Sequence, residues 1–302
     1  MQPSFYNPLT KAEFGRQKDL SLGVIGHLAE DEIVHPTLGV RSLPGGSAAA
    51  IATAAVQLGI KTSIHSKIGK DYPSEWLSVL DSLGVDISKV EVSEEKEILK
   101  VKIIYDENGE TELIECSEAV SESLDIKTLP RTDGVHICPI RPSEQRELIE
   151  KIKGHCDILS ISFSEYFIKD YENESFFDDN TLKDVDILFA NEKEASALTG
   201  EEKPEDGASK LHSKGVDLVA ITLGKNGSLV YDGNEMHKIS AMEVPVIDPT
   251  GGGDSFIGGF LGEFLTSKDA QKAAGMGMYL ASLTVQKKGS WAALVSDVGV
   301  RF

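Results

Sequence analysis

The sequence is poor in arginine, in cysteine and in positive charge. Its 302 residues carry 30 Lys+Arg against 49 Asp+Glu, a formal net charge of −19. Such a chain has no basic footprint for a nucleic-acid backbone, and an anionic membrane surface would repel it for the same reason. The arginines are Arg16, Arg41, Arg131, Arg141, Arg146 and Arg301, so residues 147–300 contain none. An anion bound by that half must be met by lysine, backbone N–H groups or a metal. Cys116, Cys138 and Cys156 are odd in number, widely spaced and without a C-x-x-C pattern. This excludes a disulfide framework or zinc ribbon and fits a reducing cytoplasm. The polar N-terminus has no apolar stretch of the kind a signal peptide needs. The longest apolar run, residues 48–60, is broken by Thr53 and Gln57 and is too short to span a bilayer.

Several chemical signatures are missing too. There is no G-x-x-x-x-G-K-[ST] loop, no G-x-G-x-x-G after a strand and no G-x-S-x-G, and the seven histidines show no metal-ligand spacing. A dinucleotide-dependent dehydrogenase and a serine hydrolase are therefore excluded as readings.

What is present is a repeating pattern. Short apolar runs rich in Val and Ile recur at 22–25, 135–138, 157–161, 186–190 and 217–222. Helix-compatible stretches lie at 46–58, 74–83, 142–153, 204–214, 254–265 and 268–287. Continuous apolar strands alternating with helices predict an α/β fold with a mostly parallel sheet covered on both faces. Two segments depart from this. Residues 32–44 are extended and carry two prolines. In 97–116, Leu99, Val101, Ile103 and Tyr105 face one way and Lys100 and Lys102 the other, with a turn at 106–109. They read either as a small β lid or as a pair of surface hairpins.

Ligands of such sheets bind beyond the carboxyl ends of the strands, and four segments there carry candidate chemistry. In Asp248-Pro-Thr250-Gly251-Gly252-Gly253-Asp254, three glycines leave backbone N–H groups free to converge on an anion at a helix start. The plainer alternative is a tight turn with Asp254 as helix cap. Gly45-Gly46 opens an Ala-rich helix and lets a small ligand approach the backbone. Asp31 is either an acceptor of two hydroxyl hydrogen bonds or a solvated loop carboxylate. Asn191 and Glu194 are three apart after a strand, a pair suited to water-mediated Mg²⁺ beside phosphates, or to capping. Thr222-Leu-Gly224-Lys225-Asn-Gly227 is a polar turn between two strands that can line a nucleotide.

In this order the segments are specific. GGSAAAIATAAVQLG, IGKD, LGVD, NEKE, TLGKNG and DPTGGGDSFIGGF resemble the motifs of the ribokinase-like (PfkB) carbohydrate kinases over nearly the whole chain. The resemblance implies a ribokinase-like three-layer α/β/α core, one domain over 1–302, with a discontinuous β lid from 32–44 and 97–116. It implies transfer of the γ-phosphoryl of ATP to a hydroxymethyl group of a small sugar or nucleoside. Asp254 then matches the catalytic base and Gly251, Gly252 and Gly253 the anion hole. Asn191 and Glu194 match the Mg²⁺ and phosphate motif. Thr222, Gly224 and Gly227 match the nucleotide-lining turn, and Asp31, Gly45 and Gly46 the substrate region. Asp248 and Thr250 match positions that in several members help hold a monovalent cation, K⁺. A homodimer through the lid is a further expectation.

The acceptor side departs from the family pattern. Ala50 stands where an Asn commonly contacts the sugar, and DILSISFSEYF offers Ser160, Ser162 and Ser164 in place of a frequent Asp. A non-furanose acceptor such as a polyol or sugar acid, with Arg41 and Arg141 as candidate contacts, stays open. So does a non-catalytic sensor that binds nucleotide and a small ligand.

Overall fold

The structure, a computed structural model, describes residues 19–107, 111–121, 123–173, 176 and 180–291. The strands are β1 (Ser21–Ile25), β2 (Ala29–His35), β3 (Gly39–Gly45), β4 (Lys61–Gly69), β5 (Asp86–Ser93), β6 (Leu99–Tyr105), β7 (Thr111–Cys116), β8 (Gly134–Ile137), β9 (Ile158–Ser162), β10 (Ile187–Asn191), β11 (Leu218–Thr222), β12 (Ser228–Tyr231) and β13 (Met236–Ile239). The helices are α1 (Ser47–Gln57), α2 (Ser74–Ser82), α3 (Pro142–Ile152), α4 (Ile168–Asn173), α5 (Glu192–Thr199), α6 (Pro204–Ser213), α7 (Gly252–Ser267) and α8 (Ala270–Thr284).

Nine strands form one sheet in the order β13-β12-β11-β10-β9-β8-β1-β4-β5, parallel except for the β11–β12–β13 hairpins at one edge. Alternation along each strand divides the core in two. Leu22, Val24 and Phe189 pack with α1, α2, α7 and α8, whereas Val135, Ile137 and Leu188 pack with α3 to α6. The result is three layers, α/β/α, as the apolar strand pattern predicts. Strands β4 and β5 have no continuous apolar run and are absent from the sequence reading. β4 is mostly buried but interrupted by polar residues, and β5, an edge strand, is mostly exposed.

The second sheet has four strands in the order β3-β2-β6-β7. Its outer pairs are antiparallel hairpins, but β2 and β6 run parallel, with Ala29 opposite Leu99 and Ile33 opposite Ile103. The two extended segments are thus one sheet rather than two separate hairpins. The expected turn at 106–109 lies partly outside the described residues. On the outer face Lys100 pairs with Glu30 at 3.4 Å, and Lys102 lies 3.9 Å from Glu32 and 3.8 Å from Glu115. These exposed pairs favour the register weakly, each by under about 1 kcal/mol. Among the described residues no helix is long and apolar enough to cross a membrane.

Candidate active site

The order of the large sheet reverses between β1 and β8, and the loops leaving these two strands open a crevice there. Gly26 allows it to form, since a Cβ on Gly26 would lie 2.5 Å from the Cβ of Cys138. Helix α7 is brought to the crevice by close packing. A Cβ on Gly258 would sit 2.3 Å from the carbonyl oxygen of Ile51, so the α1 and α7 backbones nearly touch. The N-terminus of α7 therefore points at the space beneath the second sheet.

Three connected cavities fill that space. The first, of about 210 Å³, is roofed by Leu99, Val101, Ile103 and Tyr105 of β6, the four residues that alternation placed on one face. Asp31 and Asp254 stand below them. Asp31 is only 5% exposed and lies within β2, so the solvated-loop reading is incorrect. Gly45, paired with Ala29 and diagonal to Asp31 across the hairpin, leaves room for it: a Cβ there would lie 1.9 Å from the Asp31 Cγ. Burial, reinforced by the charges of Asp254 and Asp248, pushes the Asp31 carboxyl up to about 7, although the Gly46 backbone N–H donates to it. Gly46 turns into α1 at φ 96°, where a Cβ would meet the His27 carbonyl oxygen at 2.5 Å.

Asp254 does not cap α7, because the N-cap is Gly251, at φ 76°, and no side chain caps it. A Cβ on Gly251 would lie 2.3 Å from the Ser290 carbonyl oxygen, whereas one on Gly253 would meet nothing within 4 Å. Gly251 is thus required by the fold, and Gly253 faces open cavity. The three glycines are also unequal as donors. The Gly252 N–H closes a turn onto the Pro249 carbonyl at 3.1 Å. The N–H groups of Gly251, Gly253 and Asp254 have no partner among the described residues. Asp254 accepts from Ser47, and burial raises its carboxyl to about 6.

Asp248 and Thr250 brace this loop. Asp248 is buried and accepts from the Thr250 N–H and the Gly289 N–H, both at 3.0 Å. The Thr250 hydroxyl lies 2.9 Å from the Tyr105 hydroxyl. Each of their side-chain oxygens holds one hydrogen bond, and the role visible in the structure is to shape the loop.

The second cavity, of about 250 Å³, shares Ser47, Gly251 and Asp254 with the first, and Asn191 and Glu194 form its far wall. Asn191 and Glu194 make a reciprocal capping box. The Asn191 side chain accepts from the Glu194 N–H at 2.8 Å, and Glu194 Oε2 accepts from the Asn191 N–H at 2.8 Å. The capping reading holds, and the capped pair also lines the cavity. Burial pushes Glu194 up to about 8, which disfavours its charged form. A hydrated Mg²⁺ fits this donor set. The carboxylate and amide oxygens already hold one hydrogen bond each, which suits contact through the ion's waters.

The third cavity, of about 430 Å³, meets the second at Gly253, Phe256 and Thr222. Thr222, Gly224, Lys225 and Gly227 line it on one side and Met242, Val246, Met278 and Val285 on the other. Gly227, at φ 99°, is forced, since a Cβ would sit 1.9 Å from the Ile239 carbonyl oxygen. The TLGKNG turn thus joins two antiparallel strands, as the sequence pattern predicts, and also lines a cavity.

Ala50 is fully buried in α1, and Arg41 and Arg141 do not line the first cavity. Ser160 and Ser162 hydrogen-bond His136 at 3.0 and 3.1 Å, while Ser164 reaches the first two cavities. Sequence reasoning missed Ser47, His27 and the Met242–Val246 wall. Ser47 directly follows Gly45-Gly46, and that adjacency was the available signal. The Met242 wall has no regular structure and left none.

Residues 19–296 match the model of the pfkB family carbohydrate kinases. A cytidine kinase of Thermococcus kodakarensis is 35% identical over 287 residues, covering 91% of this chain and 100% of that one. A nucleoside kinase of Methanothermobacter thermautotrophicus is 26% identical over 294 residues, covering 90% and 92%. The crystal structure of the Methanocaldococcus jannaschii nucleoside kinase, an archaeal member of the ribokinase family, superposes with a TM-score of 0.76 at 25% identity, covering 93% and 98% of the two chains.

Proposed function

This chain belongs to the pfkB family of carbohydrate kinases, and on that premise we propose that it phosphorylates the hydroxymethyl group of a nucleoside, with cytidine the first candidate. The observation that carries this reading is the order of the cavities. Asp254 stands where the first meets the second, and Gly253 where the second meets the third. An acceptor in the first, the phosphates in the second and the nucleotide's base in the third would place the reacting atoms beside Asp254. The first cavity favours a nucleoside in two ways. Among the described residues no Lys or Arg lines it, which disfavours an acceptor already carrying a phosphate. Its aliphatic roof and Phe167 suit the faces of a heteroaromatic ring better than a bare polyol. The relatives named cytidine kinase and nucleoside kinase point the same way.

In this reading Asp31 accepts hydrogen bonds from ribose hydroxyls, with Gly45 and Gly46 giving the sugar room. The acceptor oxygen attacks the γ-phosphorus of ATP, the bond from phosphorus to the β,γ-bridging oxygen breaks, and Asp254 takes the hydroxyl proton. ADP and the phosphorylated nucleoside result. The transition state is loose, so the protein contributes mainly position and charge stabilisation. The N–H groups of Gly251, Gly253 and Asp254 and the N-terminus of α7 supply the donors that the arginine-free half must use. Mg²⁺, held through water near Asn191 and Glu194, would neutralise phosphate charge. The second sheet acts as a lid that excludes water. Its end strands β3 and β7 are open edges at which a homodimer would form.

The test is ADP release with MgATP over cytidine, uridine, inosine, adenosine, ribose, fructose and inositol. Turnover of nucleosides above the sugars is expected. Turnover confined to sugars or polyols overturns the acceptor assignment, and ATP binding without turnover of any acceptor favours the sensor.

A further inference from the structure

We propose that His27 is a specificity-determining residue that hydrogen-bonds the ring edge of the acceptor's base, an inference that rests on the nucleoside reading above. His27, Ala29 and Asp31 follow one another at every second position, and all three line the first cavity. At the rise of a strand, the outer two are up to about 13 Å apart along the chain. That span takes a ribose and its base between two inward side chains, and Ala29 leaves the middle clear. With Asp31 at the sugar end, His27 stands at the base end.

The imidazole is free to do this. Among the described residues no hydrogen bond reaches either ring nitrogen, although the ring is half-buried. The β6 residue at this end is aliphatic: Leu99, opposite Ala29, can press on a ring face but cannot orient it. Behind His27 is a separate chamber of about 10 Å³, roughly the room for one water, lined also by Lys67, Lys96 and Glu97. His27 borders both spaces, so one nitrogen can face the acceptor while the other is satisfied by that water.

Its protonation state suits a neutral base. Burial, followed by the nearby charges of Lys96 and Arg141, lowers the imidazole to about 4. Lys96 is itself fixed, donating to the Ser123 carbonyl at 2.7 Å. Near neutral pH the ring is uncharged and offers one donor and one acceptor. The choice of tautomer then matches the group that the base presents, and a site built to hydrogen-bond that group discriminates against acceptors lacking it.

The experiment compares kcat/KM of the wild type, His27→Ala and His27→Gln for cytidine, uridine, inosine and ribose. Wild-type turnover of nucleosides tests the reading on which the proposal rests, independently of the variants. His27→Ala should lower kcat/KM about tenfold for at least one nucleoside while leaving ribose unchanged. His27→Gln, which keeps a donor and an acceptor, should recover part of the loss and shift the ranking among bases. An equal loss for ribose and nucleosides overturns the proposal, because a purely structural role predicts it. So does an unchanged ranking in both variants. If His27→Ala does not fold, the ranking measured with His27→Gln decides alone.

Discussion

The hydroxyls of Tyr105 and Thr250 lie 2.9 Å apart, joining the last residue of β6 to the loop that leads into Asp254. Both are buried, with Tyr105 7% and Thr250 4% exposed. One bond thus connects the roof of the first cavity to the machinery below it. Tyr105→Phe leaves the buried Thr250 hydroxyl without this partner at a cost of about 1–3 kcal/mol. The expected result is a several-fold lower transfer rate and a larger fraction of ATP hydrolysed without transfer. ADP release with and without acceptor measures both, and an unchanged ratio removes the latch from the account.

Asp254→Asn should lower turnover by about 10²–10⁴ with little change in thermal midpoint, because Asp254 takes no part in capping α7. Full activity in this variant would show that the base lies elsewhere.

A base must be ionised to work, so kcat/KM should rise with pH through the region where the carboxyls lose their protons. Asp254 is raised to about 6 by burial, and Asp31 to about 7 by burial and the charge of Asp254. The acid limb therefore belongs to the pair and should fall between those values. A limb near pH 4 would mean that neither carboxyl is as buried during turnover as in the free protein.

Stability of the ligand-free protein should move the other way. Glu194, raised to about 8, and Asp31 hold protons when folded that the unfolded chain has released above about pH 4. Stability from these groups is lost as pH rises towards their folded values. The buried histidines His27 and His136, lowered to about 4 and 3, act oppositely, but only below about pH 6.5. Between pH 6.5 and 8 the thermal midpoint should fall, and Glu194→Gln should flatten the slope. A slope identical in that variant would assign it to other groups.

The glycine run makes a paired prediction. Gly251→Ala puts a Cβ 2.3 Å from the Ser290 carbonyl oxygen at a positive φ, and should lower the thermal midpoint by several degrees. Gly253→Ala meets no protein atom within 4 Å, so the fold should stand while the KM for ATP rises. Equal effects of both on stability would remove Gly253 from the phosphate site.

Much of this was legible in the residues. Apolar runs gave the parallel strands, and alternation in β6 gave the cavity-facing row from Leu99 to Tyr105. The order of GGSAAA, NEKE and DPTGGGD gave the family. Relationships fixed only by tertiary packing were not legible. The space the Asp31 carboxyl occupies depends on the missing Cβ of Gly45, its diagonal neighbour across a hairpin, and nothing local in AEDEIVH marks that. The engagement of the Gly252 N–H in a turn depends on where the Pro249 carbonyl points. Asn191 and Glu194 show a limit of another kind, since spacing alone could not tell that a capping box would also line a cavity.

The parallel pairing of β2 with β6 bears on how the molecule comes to be built. Ala29 and Leu99 pair across a stretch of chain that holds β3, α1, β4, α2 and β5. Until they pair, the hairpin bearing Asp31 has an open flank, and no local contact can close it. Contacts this distant in sequence form late, so the roof of the acceptor cavity should be among the last parts to assemble. In refolding, recovery of phosphotransfer should then trail recovery of the helical signal, a delay arising from chain connectivity rather than from chemistry.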